Sequence, residues 1–242
     1  MPPQPDRTAR RIRGLALFYA TLPALGALLW LALGHDDPQR NRSPVEFVPI
    51  FEALVVVVAL ASGLNSRGLL RGLTAAEKAA MALFAAVAAV GLITAAPDPI
   101  HGLERAGFTL LHVMTALSLA HLIGLYAPAR RFFALALVAQ PLVYLPLLVL
   151  FYALYYGDPQ MNWLGGPVGY WHVRIWGMSL AVALAAAMGL YTAARPRLAG
   201  HLLWVGVVAV LGAMLGFSGL RAGLAALPVV VAAVLLVAPG PG

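Results

Sequence analysis

The stretch HVRIWGMSLAVALAAAMGLYTAA, residues 172 to 194, decides the fold class. It begins with a histidine and an arginine, and from Ile175 to Ala194 it carries no charge. As an α-helix rising about 1.5 Å per residue, such a run matches the ~30 Å hydrocarbon core of a bilayer. The rest of the chain repeats the pattern. Of 242 residues, 62% are hydrophobic and 10% are charged, a composition outside the range of soluble domains.

Apolar runs fall at about 14–34, 47–64, 75–96, 106–127, 132–156, 174–193, 202–217 and 222–238. The sequence therefore predicts an all-α, polytopic transmembrane helical bundle of about eight segments, in one integral membrane domain over 1–242. The last two runs are short, so 202–238 reads either as two spans or as a re-entrant hairpin. The N-terminus, MPPQPDRTARRIRG, resembles the charged start of a signal peptide. The run behind it is too long for one, and it reads as an uncleaved first helix.

Charge sets the expected orientation. With the N-terminus in the cytoplasm, the inner segments hold Arg7, Arg10, Arg11, Arg13, Arg67, Arg71, Lys78, Arg130, Arg131, Arg195 and Arg197. The outer segments hold only Arg40, Arg42, Arg105, Arg174 and Arg221, as the positive-inside rule requires. Trp163, Trp171 and Trp176 then fall at the outer interface, as an aromatic belt. The excess of 16 Lys and Arg over 9 Asp and Glu is thus explained by topology, and no nucleic-acid partner is implied. The expected location is a bacterial inner membrane, with membrane lipids as surroundings. There is no cysteine, which excludes disulfides and thiolate chemistry. No P-loop, GxSxG or HExxH is present, so no cofactor or metal is expected.

Charges inside spans are costly and mark functional candidates. Glu52 lies about 8 Å into the second run at the helical rise. It reads as a carboxylate paired with a neighbouring helix or reaching the interface. Arg105 and His112, seven apart, share one face of the fourth run. His112 is expected to be a packed histidine donating to a backbone carbonyl, and His121 to be structural. Arg174 opens the sixth run. It is either a snorkelling anchor or an anion-binding group, since guanidinium offers phosphate a planar fork of donors. Arg221 sits in GFSGLRAGLAAL, at a turn whose small residues leave room for a ligand. Arg174 and Arg221 together would make an electropositive outer cavity.

GFSGLRAGLAALPVVVAAVLL resembles the Ser-Arg-Gly helix of the O-antigen ligase and polymerase superfamily. HVRIWGMSLAVALAAAMGLYTAA resembles the upstream segment of that family, where an arginine-aromatic motif begins a span on the periplasmic side. The likeness covers about residues 160 to 238. It implies an inverting, metal-independent glycosyltransferase that moves a glycan from a polyprenyl pyrophosphate donor to a lipid A-core or glycan acceptor. Arg174 and Arg221 would hold the donor pyrophosphate, with Glu52, Arg105, His112, His172 and Ser218 as supporting candidates. Two departures stand out. Leu220 and Ala222 replace the usual serine and glycine. The long periplasmic loop with the family's catalytic histidine does not follow, so no catalytic residue is assigned. The resemblance then implies an N-terminal portion of a longer protein, or a chain that lost that half. The alternative is a non-enzymatic membrane protein, a transporter subunit or assembly factor. In that case Glu52, Arg105 and His112 line a path or form an ion-pair cluster, and Pro141 and Pro146 offer a helix break.

Overall fold

The computed structural model describes residues 5–32, 47–65, 73–94, 99–155, 157, 173–194 and 198–218. They form seven helices and no strand: α1 Pro5–Ala32, α2 Phe47–Ala61, α3 Ala75–Thr94, α4 Pro99–Leu125, α5 Ala129–Tyr155, α6 Val173–Ala194 and α7 Leu198–Phe217. The expected run at 222–238 lies outside the described residues. The helices belong to two compact units, Met1–Leu15 with Val48–Ala129 and Ala16–Phe47 with Arg130–Gly242.

Local chemistry sets the helix ends in the first unit. α3 opens on a capping box. Thr74 Oγ1 accepts from the Glu77 amide at 3.2 Å, and Glu77 Oε2 accepts from the Thr74 amide at 2.7 Å. α2 closes with a Schellman turn. The Leu64 amide donates to the Ala59 carbonyl and the Gly63 amide to the Leu60 carbonyl, both at 3.0 Å. That turn needs a left-handed residue, and Gly63 supplies it with φ of 95°. Leu64 and Ala59 are both buried, giving the apolar contact that accompanies the turn. α1 begins well before the apolar run, because its basic residues are helix formers and have work at the end of α2. Arg11 Nη1 donates to the Ala61 carbonyl at 3.1 Å, where a helix presents its negative end. α4 also starts earlier than expected, with Pro99 in the first helical position, where its fixed φ fits and its missing N–H is not needed.

In the second unit, α6 buries Trp176, Leu180, Ala183, Leu184 and Ala187, a stripe at helical spacing. Tyr144, Leu148 and Phe151 of α5 and Leu211, Met214 and Leu215 of α7 complete the same core. Trp176 is therefore not an interface anchor. Position 176 is in phase with 180, 183 and 187, so its ring turns inward and is only 3% exposed. α6 and α7 are also tied by Tyr191 Oη and His201 Nδ1, 2.8 Å apart.

Pro141 and Pro146 do not break α5, which runs on from Ala129 to Tyr155. Membrane helices tolerate proline where neighbours satisfy the freed backbone groups. α1 displays the device. Pro23 has no N–H to give the Tyr19 carbonyl four residues back. The buried Gln140 of α5 supplies the donor instead, Nε2 to Tyr19 O at 3.4 Å.

Five of the helices contain stretches long and apolar enough to cross a membrane: Arg7–Leu29, Ala106–Leu125, Ala129–Leu154, Trp176–Ala194 and Leu198–Phe217. α2 is apolar but short. Large side chains on the outside of α3 and α7, among them Leu83, Val87, Leu198, Leu202 and Phe217, are more than half exposed. Water does not tolerate apolar surface on that scale, whereas lipid does.

Candidate functional site

The described residues bring one pair of the expected site residues together. His112 Nδ1 on α4 lies 2.6 Å from Glu52 Oε1 on α2, a charge-assisted hydrogen bond in length. Glu52 is only 12% exposed, and His112 is 57% exposed. Glu52 thus pairs with a neighbouring helix, as its depth suggested. His112 departs from expectation, because its partner is the carboxylate rather than a backbone carbonyl. The reason is register: Glu52 and His112 sit at one level of two adjacent helices, and a carboxylate is the stronger acceptor.

A second bond joins α4 to the same residue of α2. Thr115 Oγ1 donates to the Glu52 carbonyl at 3.4 Å. In a helix, side chains tilt toward the N-terminus and carbonyls point toward the C-terminus. His112 meets the N-ward carboxylate of Glu52, while Thr115, further along α4, meets its C-ward carbonyl.

Four buried polar atoms of this unit have no hydrogen-bond partner among the described residues: Glu52 Oε2, Ser62 Oγ, Ser118 Oγ and His121 Nε2. Ser62 and Ser118 are 2% and 0% exposed. Elsewhere in the chain, hydroxyls bond their own helix: Thr21 to Leu17 and Phe18, Thr192 to Gly189, and Ser218 to Leu215. The unit containing Glu52 is thus polar inside in a way its apolar composition does not require.

The other expected site residues are dispersed or undescribed. Arg174 lies in the first turn of α6 and Arg105 within α4, with both side chains outside the described set. His172 and Arg221 lie outside the described residues. Ser218 is buried at the end of α7, its hydroxyl held by the Leu215 carbonyl at 2.7 Å. A recess of about 270 Å³ in the second unit is lined by Tyr19, Leu137, Met178, Ser179 and Val182, none of them an expected site residue. Among the described residues, no three of His, Asp and Glu gather as a metal would need.

Sequence reasoning missed Thr115 and Ser118. Their signal is HVMTALSLAH, residues 112 to 121, in which His, Thr, Ser and His recur at steps of three through an apolar span.

The described residues thus form an all-helical protein of multi-pass membrane character, with an acid–imidazole pair within one unit. Comparison with known protein families, curated proteins and solved structures finds no match for this chain.

Proposed function

We propose that this chain is a multi-pass membrane protein that takes up and releases a proton at Glu52 and His112, as part of proton-linked transport or coupling. The observation that carries the reading is the 2.6 Å contact between a nearly buried carboxylate and an imidazole on a neighbouring helix. Ionisable residues within membrane helices mark proton and ion pathways. Histidine is the side chain whose ordinary titration falls near neutral pH, so a carboxylate and an imidazole at hydrogen-bond distance make a proton-sharing couple. Arg7, Arg10, Arg11 and Arg13 ahead of the first apolar run support a cytoplasmic N-terminus in an inner membrane.

The test is infrared spectroscopy of the protein in nanodiscs over a pH series. The carboxyl band of Glu52 and the imidazole bands of His112, assigned with variants, should change in one shared step. In Glu52→Gln the shared step should vanish. Carboxyl and imidazole bands that change independently in the unaltered chain would overturn the reading.

A second reading, glycan transfer from a polyprenyl pyrophosphate, concerns the other end of the chain. Its support is the place of Arg174 in the first turn of α6, where unpaired backbone amides and a guanidinium both favour an anion. The lipid-linked donor should bind the unaltered chain and lose affinity in the Arg174→Ala, Arg221→Ala double variant. Equal binding by the two would rule this site out.

A further inference from the structure

The exposed side of α1 changes character along one stripe. Thr8, Ile12 and Leu15 are buried on one side of its first turns. On the opposite side Arg7 and Arg10 open a stripe that continues through Gly14, Leu17, Leu25 and Leu28. With Thr21 between Leu17 and Leu25, the steps are all of three or four residues, which keeps them on one helix face.

The head of the stripe is cationic. The first 35 residues of the chain hold four arginines and one acidic residue, Asp6. Arg7 and Arg10 are exposed and meet no carboxylate among the described residues. Arg11 is used differently: its bond to the Ala61 carbonyl holds these turns against the end of α2, so the arginine face is a fixed surface and not a fraying helix end. The rest of the stripe is apolar. Leu17 is 68% exposed, and Leu25 and Leu28 are exposed behind it. The Thr21 hydroxyl bonds the Leu17 and Phe18 carbonyls, so it asks nothing of hydrocarbon. From Leu17 to Leu28 the stripe runs about 16 Å at the helical rise, about one leaflet of a ~30 Å core. Gly14 stands at the junction. A Cβ there would meet nothing within 4 Å, so the helix surface is open between the cations and the leucines.

We propose that this face of α1 binds an anionic phospholipid, with the phosphate on Arg7 and Arg10, the glycerol region over Gly14 and an acyl chain along Leu17, Leu25 and Leu28. Guanidinium offers phosphate a planar fork of donors that stays charged. The ligand is an amphipath because the cations and the leucines share one stripe. A soluble anion would use only its head, and a lipid without net charge only its tail. An acidic protein segment would match the arginines but not the leucines that follow them. The site owes nothing to the Glu52–His112 pair.

Native mass spectrometry of the full chain in detergent tests it, with phosphatidylglycerol and phosphatidylcholine of the same acyl chains as probes. Phosphatidylglycerol should bind more tightly. Each basic residue near an anionic lipid contributes about fivefold, so Arg7→Ala, Arg10→Ala should weaken phosphatidylglycerol about 25-fold and leave phosphatidylcholine unchanged. Arg7→Lys, Arg10→Lys, which keeps the charge, should recover most of that loss. Gly14→Leu places its bulk away from the protein and over the junction, so it should weaken phosphatidylglycerol while circular dichroism shows the helices intact. Excess inorganic phosphate should not displace the lipid. Equal binding of the two lipids, or unchanged phosphatidylglycerol affinity in Arg7→Ala, Arg10→Ala, would overturn the site. Displacement by inorganic phosphate would overturn it too, leaving a simple anion site at the arginines.

Discussion

His112→Leu is expected to destabilise the protein by about 1–3 kcal/mol, and adding Glu52→Leu is expected to recover most of that loss. The single change leaves the Glu52 carboxylate 12% exposed with no imidazole beside it. Its second oxygen already has no partner among the described residues. A charge in that position must either stay ionised at high cost or bind a proton and become a neutral acid. Proton uptake caps the penalty but does not remove it, because the acid still lacks acceptors and donors of its own. The double change removes the charge and its partner together and puts apolar volume on both helices. Buried ion pairs replaced in this way often lose little stability. Denaturant unfolding in detergent micelles, read by circular dichroism, gives the three values. A double variant no more stable than His112→Leu alone would mean that the two residues are not coupled. The same double variant separates architecture from chemistry, since it should fold and yet lack the shared protonation step.

The helices were largely legible because lipid imposes one solution on an apolar chain: every backbone group must be satisfied within its own segment. Seven of the expected runs correspond to helices, and their ends moved for local reasons. Pro99 and the arginines of α1 extend helices beyond the apolar residues, since a helix can continue into polar surroundings where hydropathy stops marking it. The Gly63 turn and the Thr74 capping box set helix ends through local backbone bonds that hydropathy does not mark. Trp176 was misread because an aromatic residue near a span end has the same composition whether it faces the interface or the core. Only its phase with Leu180 and Ala183 separates the two.

The pairing of Glu52 with His112 was half legible. Each residue stood out alone as a polar group in an apolar run, and depth suggested a partner for Glu52. Which helix lay beside α2 was not in the sequence, because helix neighbours in a membrane are chosen by packing and not by any local pattern. Thr115 and Ser118 escaped attention for a different reason. Hydroxyls are common in membrane helices, where they usually bond back to their own carbonyls, as Thr21 and Thr192 do. Ser118 differs only in failing to do so, a fact of rotamer and neighbour that composition does not carry.

Gln140→Leu is expected to cost about 1–3 kcal/mol, and to cost less once Pro23 has become alanine. Pro23 removes the amide that would serve the Tyr19 carbonyl, and in hydrocarbon that carbonyl has no water to turn to. Gln140 is 5% exposed and reaches it at 3.4 Å, a long bond but an available donor. Leucine at 140 fills similar space and offers no polar group, so it loses both the bond to the Tyr19 carbonyl and the bond to the Tyr19 hydroxyl, and only the first depends on Pro23. Alanine at 23 returns an amide to α1, and the Tyr19 carbonyl is satisfied within its own helix. Glutamine at 140 then has no carbonyl that depends on it. The cycle of Pro23→Ala and Gln140→Leu should therefore show a coupling of about 0.5–3 kcal/mol, the range for residues in one hydrogen-bond network. Additive effects would place the value of Gln140 in its packing against α1 and not in the rescue of a proline-broken ladder. Coupling of the expected sign would explain why a long, otherwise apolar span keeps one buried amide: it is the second half of a helix-to-helix bond whose first half is a missing hydrogen.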